Sequence, residues 1–104
     1  AERTGSKHDQ LIAAALELDA EHDYRHAARK YREAIALEPL KPVAYYNLGL
    51  ALNRAHNTTK AAEMFLQAGE LYTEGSGGWA RATASAFDML RLPVCAEEPK
   101  PSWW

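Results

Sequence analysis

The sequence has little of what marks several common classes of protein. Cys95 is the only cysteine in 104 residues, so an internal disulfide is impossible. No apolar run approaches the roughly 20 residues of a membrane-spanning helix, and no signal-like segment opens the sequence. The 14 acidic and 12 basic residues leave a net charge of −2, too small a bias to favour nucleic acid or an anionic membrane surface. We therefore expect a cytoplasmic protein that neither inserts into membranes nor binds nucleic acid.

Motifs for catalysis and for cofactors are also scarce. Of four histidines, only His22 and His26 have a helix-compatible metal spacing, but they straddle a predicted turn and no third ligand lies nearby in sequence. Cys95 lies in a proline-flanked tail with no motif linking it to a histidine base, which indicates an incidental thiol. No glycine-rich phosphate loop follows a strand. We expect no metal site, no cofactor and no enzymatic activity.

What is present is helical periodicity. Between Pro42 and Tyr72, apolar residues recur every three or four positions on both sides of a polar break near His56, which is typical of two amphipathic helices. Gly49 and Ala61 are small enough to let the two helices cross closely. This stretch therefore predicts an antiparallel helical hairpin.

The spacing within this hairpin resembles that of the tetratricopeptide repeat, a two-helix unit of about 34 residues. The residues that carry the resemblance are Tyr45, Leu48, Gly49, Leu52, Ala61, Phe65 and Ala68. Thr73 stands where the family usually has a closing proline. A shift back by 34 positions repeats the pattern without a gap from Leu11 to Pro39, which restores that proline. A shift forward places Tyr45 on Trp79.

The resemblance implies an all-α fold in which antiparallel helix hairpins stack as a right-handed α-solenoid. The predicted organisation is a flexible lead-in (1–7), a first repeat (8–40), a second repeat (41–74), a capping helix that begins a partial third repeat (75–92), and a tail rich in proline and tryptophan (93–104).

The helix ends carry recognisable signals. Ser6, with an acidic residue three positions later, resembles a capping box, and Asp23 and Asn57 are predicted N-caps. His22 and His56 are expected to end their helices, where left-handed backbone tolerates histidine.

In the family, the first helices of the repeats line a concave groove that binds a peptide. The resemblance therefore implies a groove on the first helices of this chain. Its main residues are Ile12, Leu16, Val43, Tyr46, Asn47, Leu50, Asn53, Arg54, Arg81 and Ala84, and Asp19 and Ala80 also belong to it. Asn47 and Arg81 occupy two slots of the carboxylate clamp of heat-shock co-chaperones in the family. Ile12, Leu16 and Gly77 replace polar residues in the other three slots, which argues against a chaperone tail as the ligand.

These observations favour a protein-interaction module that binds a peptide or helical segment of a partner protein. The competing interpretation is that the groove residues are merely solvent-exposed or packed against the chain's own termini. A further alternative is a self-associating scaffold that uses Phe87, Trp103 and Trp104 to form a homo-oligomer. The tryptophans could fold back on the domain, dock on another molecule or stay disordered.

Overall fold

The computed structural model describes residues 5–104, and within that range the chain is helical without a strand. Five helices follow one another, and each packs against the next: α1 (Lys7–Ala20), α2 (Tyr24–Leu37), α3 (Pro42–Arg54), α4 (Thr58–Leu71) and α5 (Gly77–Leu90), with a short 3₁₀ turn at Pro93–Cys95. The predicted all-α stack of antiparallel hairpins is confirmed. Residues 1–4 of the predicted lead-in lie outside the described range, and the first helix already includes residue 7.

Small side chains let the helices approach closely. The fully buried alanines lie in all five helices and are Ala15, Ala27, Ala34, Ala44, Ala51, Ala61, Ala68, Ala82 and Ala86. The closest approach predicted from sequence, at Gly49, is also present: a Cβ built on Gly49 would lie 2.6 Å from Cε1 of Phe65. The Phe65 ring therefore packs directly on the α3 backbone, and that backbone position admits only glycine without a shift of the ring.

The turns inside the two hairpins are nearly identical. His22 and His56 have positive φ angles of 64° and 66°. The N–H of the next residue donates to the carbonyl of Leu18 in the first turn and of Leu52 in the second, each at 2.8 Å. This is the Schellman arrangement, in which a left-handed residue ends a helix and satisfies its last carbonyls. The left-handed histidines predicted from sequence are confirmed, and the repeat extends to individual backbone hydrogen bonds.

Two of the three predicted N-cap side chains accept a capping hydrogen bond, as expected. The Ser6 hydroxyl accepts from the N–H of Asp9 at 3.2 Å, and Asp23 accepts from the N–H of His26 at 3.3 Å. Asn57 occupies the N-cap position of α4, but its side chain makes no capping hydrogen bond, so that part of the prediction is wrong. Asp23 is also held at 2.9 Å by the ring of His26, whereas the second repeat has a lysine at the corresponding position.

The tail folds back across the last two helices. Cys95 is fully buried in a small cluster with Ala62 of α4 and Leu90 of α5. Burial raises the pKa of the Cys95 thiol. Lys100 closes the turn that follows, because its ammonium donates to the carbonyl of Cys95 at 3.0 Å and to that of Glu98 at 2.7 Å. Of the three arrangements left open for the tail, folding back is the one observed.

Candidate peptide-binding surface

The structure sorts the predicted groove residues by their exposure. Leu16 is 48% exposed and Val43 37%, and the polar members Asn53, Arg54 and Arg81 are exposed together with Ala84. The three predicted groove residues in the middle of α3, Tyr46, Asn47 and Leu50, are half-buried. We use the term first-helix surface for the predicted groove residues that remain accessible: Leu16, Val43, Tyr46, Asn47, Leu50, Asn53, Arg54, Ala80, Arg81 and Ala84.

Ile12 does not belong to this surface. It is only 9% exposed and lies in the main hydrophobic core with Leu11 and Ala15 of the same helix. The same core contains Leu48 of α3, so Ile12 belongs to the interior that successive helices share. The expectation that Ile12 lines the groove is therefore wrong.

The apolar centre of the first-helix surface is supported from beneath. The Tyr46 ring packs on Phe65 of α4 with a centroid separation of 5.5 Å and an interplanar angle of 52°. Leu50, one turn later on α3, packs against the main core. Both side chains are therefore held in place while part of each stays accessible, which lowers the conformational entropy lost when a ligand binds.

Two exposed arginines contribute positive charge. Within residues 5–104, neither Arg54 at the end of α3 nor Arg81 on α5 forms an ion pair. A guanidinium group presents several donors in a planar fork and recognises carboxylates better than a lysine does. These arginines are therefore available to carboxylates of another molecule.

A buried hydrogen bond between the first two helices lies close to Arg54. The hydroxyl of Tyr31, a fully buried residue of α2, donates to Oδ2 of Asp19 on α1 at 2.6 Å. Burial first, and then this hydrogen bond, raise the pKa of Tyr31, while the positive charge of Arg54 acts in the opposite direction. The other oxygen of Asp19 is buried and has no hydrogen-bond partner within the described part of the chain.

Sequence reasoning placed Asp19 in the groove but missed this bond. One signal was present: a buried tyrosine hydroxyl usually finds a partner, and Tyr31 occupies the slot that Phe65 holds in the second repeat. The residue that corresponds to Asp19 in that repeat is Asn53, so the second repeat lacks the pair altogether.

A second accessible patch lies at the end of the chain. The rings of Phe87 and Trp104 are 5.3 Å apart, and those of Trp103 and Trp104 are 6.2 Å apart. Each of the three side chains remains between 44% and 49% exposed. Trp104 therefore covers Phe87 only in part, and the three rings form a continuous aromatic surface.

The folded-back tail also borders a partly open cavity of about 300 Å³ against α4 and α5. We call it the tail cavity. Its aromatic walls include Tyr72, Trp79 and Trp103, and Glu70 and Glu74 lie at its edge. No motif in the sequence indicated it, because its walls come together only when the tail folds back.

Residues 5–104 contain no group of three histidine, cysteine or acidic residues that could hold a metal ion. None of the described helices has both the length and the apolar character needed to cross a membrane. A scan against protein-family models and a search of curated proteins gave no significant match to this chain.

Proposed function

We propose that this chain is a protein-interaction module that binds an apolar or amphipathic segment of a partner protein on the first-helix surface. The observation that carries the proposal is the combination of aromatic and aliphatic side chains held by the core with two exposed arginines that form no ion pair within residues 5–104. The resemblance to tetratricopeptide repeats supports the same surface, because first helices bind peptides in that family.

The composition of the surface defines the ligand further. Tyr46 and Leu50 offer apolar anchor points, and Leu16 and Val43 extend them along the stack. A helix or extended peptide with two or three apolar side chains on one face fits such a row. Carboxylates beside those side chains would pair with the arginines. We therefore expect an acidic amphipathic segment.

A displayed peptide library, selected on the folded domain, supplies a defined probe. The affinity of a selected peptide is then compared between two variants, Leu16→Asp and Leu37→Asp. Leu16 is 48% exposed on α1 and Leu37 is 53% exposed on α2, so both variants add one charge at a similarly accessible leucine. We expect Leu16→Asp to weaken binding at least tenfold and Leu37→Asp to change it less than twofold. Equal losses would show that the peptide does not use the first-helix surface.

The arginines are tested in the same way. The double variant Arg54→Ala with Arg81→Ala removes the charge of the first-helix surface, and Arg25→Ala with Arg32→Ala removes two exposed arginines of α2 as a control. Only the first pair should weaken an acidic peptide and reduce the salt dependence of its binding. If neither double variant changes the affinity of the peptide, the electrostatic part of the proposal is wrong.

Self-association is the second candidate, and the aromatic surface of Phe87, Trp103 and Trp104 favours it. Exposed apolar surface of this kind often marks an interface. Sedimentation equilibrium tests it directly: a dimer that dissociates on Phe87→Ser with Trp104→Ser would support it. A strict monomer at about 100 μM protein would refute it.

The proposal assigns no catalytic step and no cofactor to this chain, and it places the protein in the cytoplasm. The location rests on the state of Cys95, a buried free thiol, which is compatible with a reducing compartment. Fluorescence microscopy of the tagged protein tests the location.

A further inference from the structure

The tail cavity has walls contributed by three separate parts of the chain. The side of α4 provides Gly69 and Glu70, the first turns of α5 provide Trp79, and the tail provides Trp103. Trp79 is placed by the start of its helix, since its N–H donates to the Ser76 hydroxyl at 3.1 Å. The tail is held in turn by the hydrogen bonds of the Lys100 ammonium. These restraints make the cavity a built feature of the fold.

Glycines let the walls of the cavity pack closely on one another. The helices α4 and α5 cross closely at Gly69, where an added Cβ would lie 3.6 Å from the hydroxyl of Thr83. At the other side, the ring of Tyr72 lies so near the backbone of Gly78 that a Cβ there would overlap it. The Tyr72 ring is thereby fixed against the start of α5 and forms one of the walls.

The charged residues that line the cavity are all acidic. Glu70 and Glu74 are exposed at its edge, and no described residue that lines it is a lysine, arginine or histidine. Neither glutamate takes part in an ion pair within residues 5–104. The single lysine of residues 93–104, Lys100, donates to backbone carbonyls. Its ammonium lies 5.6 Å from the centre of the Trp104 ring, and Lys100 is not part of the cavity lining.

The size limits the occupant. A volume of about 300 Å³ lies at the lower end of pockets that hold small molecules, which run from roughly 300 to 1,000 Å³. It suits a single long side chain or a small organic ion and is too small for a helix. Aromatic rings attract a cation through their negative faces, and quaternary or methylated ammonium groups are the ions that such rings recognise best.

We propose that the tail cavity is a binding site for a methylated ammonium group, with the rings of Tyr72, Trp79 and Trp103 in contact with its methyl groups and with Glu70 and Glu74 balancing its charge. Methyl groups make apolar contacts that a bare ammonium cannot make, and they need no hydrogen bonds from the rings. This site is distinct from the first-helix surface, so it adds a second ligand to the module.

Matched ligands test the role of the charge. Choline is compared with 3,3-dimethyl-1-butanol, which has the same shape and no charge, by following the indole N–H signals of the full chain in proton–nitrogen NMR spectra. The chain has three tryptophans. We expect choline to shift the signals of Trp79 and Trp103 more than that of Trp104, with a dissociation constant on the order of 1 mM. Equal shifts from the neutral alcohol, or no shift from either compound, would overturn the proposal.

Matched variants test the walls. Glu70→Gln removes a carboxylate at the cavity, and Glu97→Gln removes an exposed carboxylate of the tail that does not line it. Trp103→Leu removes a ring of the lining, and Trp104→Leu removes its neighbour outside the lining. Each cavity variant should weaken choline binding by at least about fivefold, while the controls should stay within twofold. If the controls weaken binding as much as the cavity variants, the ligand binds elsewhere and the proposal fails.

The same assay distinguishes the two biological sources of this chemistry. Nα-acetyl-Nε-trimethyllysine methylamide represents a modified partner protein, and choline represents a free metabolite or a lipid headgroup. Tighter binding of the lysine derivative, with weaker binding of its unmethylated form, would support a partner protein as the source. Binding of the unmethylated form as tight as that of the methylated form would refute selectivity for methylated ammonium.

Discussion

Replacing Tyr31 with phenylalanine removes one hydroxyl from the interior and breaks the 2.6 Å hydrogen bond to Asp19. The ring itself should still fit, because the second repeat places Phe65 in the same slot and buries it equally well. The change therefore isolates the hydrogen bond between α1 and α2 from the packing of the ring.

The loss should be substantial because the acceptor is a carboxylate. A hydrogen bond to a charged group contributes about 1.5–3 kcal/mol to folding stability. The Asp19 residue as a whole is half-buried, so we expect the lower end of this range, about 1.5–2 kcal/mol. Urea unfolding followed by circular dichroism should show a midpoint lowered by roughly 1 M with an unchanged slope. A loss under about 0.5 kcal/mol would refute the importance of this bond.

A double-mutant cycle assigns the energy to the pair. The variant Tyr31→Phe with Asp19→Asn reproduces in the first repeat the Phe65 and Asn53 combination of the second. Its loss of stability should be smaller than the sum of the two single losses by about 1 kcal/mol or more, because each single variant leaves one partner unsatisfied. Additive losses would show that the two residues act independently.

The pH dependence gives a second readout. Because burial and Asp19 raise the pKa of Tyr31 in the folded state, the folded protein keeps this proton when an unfolded tyrosine, with a pKa near 10, loses it. The stabilisation is complete below about pH 10 and is lost as the pH rises from there towards the raised value. The stability difference between the protein and Tyr31→Phe should therefore be constant from pH 7 to 9 and shrink above pH 10.

Two further pairs of substitutions test the close helix crossing and the hairpin turns. Gly49→Ala should lower the free energy of unfolding by about 1–3 kcal/mol, since the new methyl group would collide with Phe65, whereas Gly77→Ala, which meets open space, should not destabilise the protein; equal effects in thermal melts would contradict the close approach. His56→Gly should raise stability by up to about 1 kcal/mol because its positive φ strains any residue with a Cβ. His22→Gly should raise stability less, because it also removes the hydrogen bond between Nδ1 of His22 and the hydroxyl of Tyr24, at 2.7 Å. A larger gain from His22→Gly than from His56→Gly would contradict this explanation.

The helices could be predicted because their causes are local. Periodic apolar residues, capping side chains and the proline at the start of α3 act within a few residues of one another, so the pattern places α2 and α4 34 positions apart at both ends. The Schellman turns were predictable for the same reason, since His22 and His56 recur at equal spacing. Asn57 shows the limit of such a prediction: it occupies the N-cap position of α4, but its side chain makes no capping hydrogen bond.

The candidate surface was predictable only in part. Leu16 and Val43 are exposed as expected, because residues opposite the core stripe of a helix face outward. Ile12 is buried, because the part of a helix surface that becomes buried depends on which other helices pack against it. The sequence of a single helix does not specify those neighbours. The Asp19–Tyr31 bond likewise joins residues 12 positions apart through the angle between two helices.

The sequence by itself determined the number of helices, their order and their repeat, because each is set by the periodicity and turn chemistry of short segments. Only the tertiary structure decided where the tail lies. Prolines in the tail restrict its backbone without directing it, and the positions of Cys95, Trp103 and Trp104 follow from surface that α4 and α5 leave uncovered once they have packed. The tail cavity exists for the same reason: its walls are distant in sequence and meet only through packing.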